Sequence, residues 1–129
     1  MNQKHIPNLE LCQEFDTLCK EKGIVVPETE FIWERRMGNW SLVKRREEGV
    51  PYFDTADLKI YIPAPLVSEQ GEWLSKNKCI IPRYSNQENY TGWFATKVNP
   101  TLNILENTEA NARQKMLNYL LAEGIITKL

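Results

Sequence analysis

The stretch from Asn107 to Leu129 constrains this chain more than any other, because it spells a helix with its start, its buried face and its stop. Asn107 and Thr108 both have side-chain oxygens able to accept from the free N–H groups of a first turn. Glu109 places negative charge at the positive end of the helix dipole. Ala110, Arg113, Met116, Leu117, Leu120 and Leu121 recur at the spacing of one helix face, with Arg113 as its polar edge. Asn111, Gln114, Lys115, Asn118 and Glu123 then fall on the wet side. Gly124 supplies a left-handed stop, after which Ile125 or Ile126 can fold back onto the last turn. Apolar helical periodicity of this kind means core before it means a ligand site.

The rest of the chain alternates between helical and strand patterns. Asn8 caps a helix running to about Lys22, with Leu11, Cys12, Phe15, Leu18 and Cys19 as its stripe and Gly23 as its end. Glu30 to Arg36 and Trp40 to Arg46 read as two strands joined at a Gly38-Asn39 turn. That pairing puts Phe31, Trp33, Arg35 and Met37 on one face with Trp40, Leu42, Lys44 and Arg46. Ile32, Glu34, Arg36, Ser41, Val43 and Arg45 lie on the other. The aromatic face is the expected core face, with basic stems along its margin. Asp57 to Ile62 is a third strand, stopped by Pro63-Ala64-Pro65. Pro65 then opens a helix over 65–76 as its first residue. Leu66, Val67, Gln70, Trp73 and Leu74 form that helix face, and Gly71 weakens it. Cys79 to Tyr84 and Thr91 to Val98 read as a second hairpin, with Pro82 at an edge or bulge. Asn99 to Glu106 reads as irregular. The sequence therefore predicts one α+β domain over 1–129, an antiparallel sheet with about three helices packed on it.

Composition narrows the functional classes. The chain has 129 residues, 42% of them apolar and 26% charged, with a formal charge of −1. A generally cationic nucleic-acid coat does not fit that balance. No apolar run approaches the ~18 residues of a membrane span. The opening MNQKHIPNLE has no apolar signal core, so a cytoplasmic location is expected. Cys12, Cys19 and Cys79 are expected to be free thiols: their number is odd, and Cys12 and Cys19 lie about 10 Å apart on one helix.

Tyr61-Ile62-Pro63-Ala64-Pro65-Leu66 leads into an amphipathic helix. The tail runs Thr108-Glu109-Ala110-Asn111-Ala112-Arg113-Gln114-Lys115-Met116-Leu117-Asn118-Tyr119-Leu120. Together, and with the Glu30-Phe31-Ile32-Trp33 strand after a leading helix, these segments resemble a group of short uncharacterised proteins of prophages and mobile elements in Bacteroides-like gut bacteria. The resemblance implies a small cytosolic protein of phage-related origin and carries no catalytic or binding residues with it.

Candidate chemistry is sparse. His5 is the one histidine, and phosphate loops and paired C-x-x-C motifs are missing from the sequence. Glu69 with Glu72 on a helix, or Asp54 with Asp57 near a loop, could form an acidic site, though at no diagnostic spacing. The basic hairpin 30–46 is the local anomaly. Arg35, Arg36, Lys44, Arg45 and Arg46 carry five positive charges with no acid between positions 35 and 46, and Trp33 and Trp40 lie among them. Cations around aromatics suit single-stranded nucleic acid, where phosphates are neutralised and bases stack. Against that stands the ordinary reading, in which the tryptophans are core and the basic stems guard a sheet edge. The leading expectation is a non-enzymatic binding or accessory protein with protein partners and neither cofactor nor metal. A nucleic-acid module using the hairpin comes second, and a small enzyme with an acidic site third.

Overall fold

A computed structural model of the chain describes residues 5–44, 59–79, 82–87, 90–97 and 102–129. In chain order the elements are α1 (Leu9–Lys22), β1 (Phe31–Arg36), β2 (Asn39–Lys44), β3 (Lys59–Ala64), α2 (Val67–Lys76), β4 (Arg83–Gln87), β5 (Tyr90–Lys97), β6 (Leu102–Glu106) and α3 (Glu109–Ala122). The architecture is α+β. The described strands form two antiparallel sheets, ordered β2-β1-β3 and β4-β5-β6, where the sequence suggested a single one.

The tail forms its helix as expected. Thr108 caps α3, its Oγ1 accepting from Asn111 N at 3.2 Å. Gly124 takes φ +74°, and the N–H groups of Ile125 and Ile126 return to Leu120 O at 2.9 and 3.2 Å. Ile126 is the residue that folds back into the core, while Ile125 stays exposed. α1 is closed in the same way. Asn8 Oδ1 accepts from Leu11 N, and Gly23 in the left-handed region lets Ile24 N reach Cys19 O at 2.8 Å.

One expectation about α3 fails. Gln114 and Asn118 are 0% and 3% exposed, not on a wet face. The reason is position: α3 packs against α1, α2, β5 and β6, so little of its circumference is left to water. Buried amides must find partners, and these form a chain across three helices. Gln70 Nε2 donates to Ala110 O and Gln114 Oε1, each at 3.0 Å. Gln114 Nε2 donates to Asn118 Oδ1 at 2.9 Å. Asn118 Nδ2 donates to Leu11 O at 3.1 Å and Glu14 Oε1 at 2.7 Å. Around this polar thread Phe15, Leu74, Leu117 and Leu121 form the core, with Phe15 stacked on Trp73 at 5.9 Å.

Gly71 has a use beyond weakening α2. A Cβ there would lie 2.2 Å from Nη1 of Arg113. The glycine leaves a gap through which the guanidinium reaches Val67 O at 2.7 Å while pairing with Glu109 at 2.5 Å.

Several boundaries differ from expectation. β3 runs through Pro63 to Ala64; it lies at an edge of the described sheet, where a residue without an N–H is tolerated. α2 begins at Val67 with Leu66 as its cap, so Pro65 precedes the helix. Glu69 reaches back to Leu66 N at 2.7 Å, half of a capping box. The second hairpin starts at Arg83, after Pro82. Leu102–Glu106, expected to be irregular, pairs with β5 as a strand. Its alternation is short and needs that neighbour to hold it extended.

Candidate nucleic-acid interface

The β1–β2 hairpin forms where aromatic and β-branched residues flank a tight turn. Trp33 pairs with Leu42, Arg35 with Trp40 and Arg36 with Asn39. The two turn residues are therefore Met37-Gly38, not Gly38-Asn39. Both have positive φ, 50° and 88°, as a type I′ turn requires. The turn moves by one residue and the pairing sum by two, so the expected division of side chains between the faces survives.

The expected burial of those faces needs correction. Ile32 and Glu34, assigned to the wetter face, are the buried residues of β1, with Glu34 only 4% exposed. Phe31, Trp33 and Arg35 are half-buried. The aromatic face is covered as well, since Ile62 and Ala64, which share it with Trp33 and Phe31, are buried, so both faces of β1 are packed. One carboxylate oxygen of Glu34, Oε2, is left without a hydrogen bond.

The two tryptophans have different surroundings. Trp33 lines a cleft of about 210 Å³ with Ile6, Pro7, Leu42 and the first residues of α1 and α3. Its Nε1 is buried without a hydrogen bond of ordinary geometry. It approaches the Cys12 thiol, a contact that favours the thiolate and is outweighed by burial. Trp33 is thus committed to the seam between sheet and helices. Trp40 is half-buried nearer the turn, and the guanidinium of Arg35 lies over its ring, 5.7 Å from the centroid. A cation over indole at that distance is a favourable contact with the ring quadrupole.

The remaining basic residues do not gather around that pair. Lys44 sits at the opposite end of β2, beside Glu30 at 3.7 Å, with both side chains well exposed. Such a pair contributes little. Arg36 is described by its backbone pairing alone, and Arg45 and Arg46 lie outside the described residues. Met37, a residue that composition did not single out, is 79% exposed at the turn. The sequence signal for it was the glycine that follows, since X-Gly is the I′ pattern.

Glu69 Oε2 also accepts from Glu30 N at 3.2 Å, so its carboxylate joins the start of α2 to the start of the hairpin. Glu72 shares a depression of about 190 Å³ with Glu69, Glu28 and Lys76. Asp54 and Asp57 lie outside the described residues. Burial pushes the Cys12 thiol up to about 12. Burial, with Asp16 adding to it, pushes Cys19 up to about 11. Neither is a nucleophile near neutral pH. His5 is exposed at the rim of a hollow formed with Val67, Ser68 and Arg113. Among the described residues no group of three or more His, Cys, Asp or Glu could hold a metal, and no helix is long and apolar enough to cross a membrane. Comparison with protein-family models, curated proteins and solved structures finds no match to this chain.

Proposed function

We propose that the chain is a non-enzymatic binding module, that its ligand surface is the turn end of the β1–β2 hairpin, and that the ligand is single-stranded nucleic acid. The observation that carries this reading is the Arg35–Trp40 pair. It sets a permanent cation against a partly exposed aromatic ring on a three-stranded sheet. A phosphate and a stacked base ask for those two groups side by side. The reading of the protein as non-enzymatic is supported by two further facts. The thiols of Cys12 and Cys19 are held protonated, Glu14 and Glu69 are engaged in bonds that join elements, and Glu109 is paired with Arg113 within α3.

Titration of a fluorescein-labelled oligo-dT at several salt concentrations tests it. Affinity should fall as salt rises, because each neutralised phosphate releases counterions. Trp40→Ala should weaken binding by about 1–3 kcal/mol, the loss of one stacked base. Arg35→Ala should lower both affinity and the salt slope. No binding at low salt, or binding indifferent to both substitutions, refutes the hairpin surface. A protein partner in a prophage or mobile element is the second reading, supported by the resemblance of the Tyr61–Leu66 and Thr108–Leu120 segments. Capture of a host protein whose binding is lost on substituting the hairpin would favour it.

A further inference from the structure

The turn of the hairpin carries a residue that the fold does not need. In a type I′ turn both central positions are left-handed, and Asn-Gly is the sequence that adopts them with least strain. Here the first position is Met37 at φ +50°. A methionine gains nothing from that backbone, since it lacks the short polar side chain that makes the left-handed region tolerable. It gains nothing from packing either, because it is 79% exposed. An outlier that is both strained and unpacked is a reason to look for function.

Its neighbours say which function. Met37 follows Arg36, and the Arg36–Asn39 pair separates it from Arg35 and Trp40, which face each other across the strands. No acid occurs in the sequence from Arg35 to Arg46, and Arg35 is the cation the structure places beside Trp40 at this end of the hairpin. An exposed apolar side chain beside a guanidinium and a partly exposed indole matches an anionic polymer with flat apolar units. Methionine is among the side chains that enter between bases as wedges. Its thioether is also soft and favours aromatic edges.

We infer that Met37 is a wedge that enters between adjacent bases of a bound single strand, while Arg35 holds the flanking phosphate and Trp40 takes a neighbouring base. This rests on the hairpin being the nucleic-acid surface and adds a residue and a mode of contact to it. The wedge supplies base contact without sequence readout, so the ligand is single-stranded nucleic acid of mixed sequence.

The test uses the full chain with Met37→Asn, which restores Asn-Gly at the turn, and Met37→Leu, which keeps an apolar tip. Two probes are used, a fluorescein-labelled oligo-dT and an oligonucleotide carrying 2-aminopurine between purines. Wild-type protein should brighten 2-aminopurine as the stack opens. Met37→Asn should melt no lower than wild type, bind about five- to tenfold more weakly, abolish the brightening and leave the salt slope unchanged. Met37→Leu should bind and brighten like wild type. If Met37→Asn binds and brightens like wild type, the wedge is overturned and the Arg35–Trp40 surface stands. If wild-type protein binds neither probe at low salt, the surface falls and the wedge with it.

Discussion

At the scale of single residues, Gly71 and Arg113 show how one side chain sets the value of another. Glycine inside a helix costs about 1 kcal/mol relative to alanine, so Gly71→Ala would ordinarily stabilise α2. Here the new Cβ would strike Nη1 of Arg113 and drive it from Val67 O. Losing a hydrogen bond from a charged group costs about 1.5–3 kcal/mol, so Gly71→Ala should be net destabilising by about 1 kcal/mol in urea denaturation. In an Arg113→Ala background the obstacle is gone, and the same substitution should stabilise. No change of sign between the two backgrounds would mean that the gap at Gly71 is incidental.

The buried thiols give a second residue-scale prediction. Cys12 and Cys19 keep their protons up to about 12 and 11, against an ordinary value of 9.0. The folded state therefore binds more protons than the unfolded state above pH 9, and stability must fall as pH rises through that range. Below it the two states are equally protonated at these sites and no slope arises. Urea denaturation at about pH 8 and pH 10 should show the loss, and Cys12→Ala should flatten it. In the folded protein at pH 8, Cys79, which is only partly buried, should alkylate ahead of the other two.

At the scale of elements, α3 combines an apolar face with an amide thread, and the two should respond differently to substitution. Leu117 is fully buried, and Leu117→Ala should cost about 2–5 kcal/mol through lost transfer energy and a cavity. Gln114→Leu keeps the volume but strands Gln70 Nε2 from its side-chain partner and leaves Asn118 Oδ1 without a donor. Asn118 Oδ1 is then orphaned at about 1–3 kcal/mol, while Gln70 Nε2 keeps Ala110 O, so this near-isosteric change should approach the cavity mutant in denaturation. If Gln114→Leu is neutral, the thread is dispensable and plain hydrophobic packing holds the three helices.

For the whole molecule, α3 is the hub: it meets both other helices and two strands of the second sheet. Regions with the densest buried contacts open last. Hydrogen exchange should therefore find the slowest amides in α3, near Met116 to Leu121, at rates set by global unfolding. The hairpin turn at Met37-Gly38, remote from that core, should exchange fastest among the paired segments. Equal protection of α3 and the hairpin would mean that the sheet β2-β1-β3 and the helices unfold as one unit.

The sequence alone determined what depends on neighbours along the chain. Both N-caps, the two glycine stops, the apolar stripes of α1 and α2, the division of hairpin faces and the α+β class follow from local backbone chemistry and periodicity. Only the tertiary structure decided what depends on position in the fold. Gln114 and Asn118 look wet on a helical wheel and are buried because α3 is surrounded. Pro63 looks like a strand breaker and is tolerated because β3 lies at an edge. Leu102–Glu106 becomes a strand because β5 is beside it. Trp33 and Trp40 are the same residue type on the same face, yet Trp33, on the central strand, closes a seam with the starts of α1 and α3, while Trp40, on an outer strand beside the turn, stays partly open. Periodicity tells which side chains share a face, but what faces them is set by packing between segments far apart in the chain, and no local pattern encodes it.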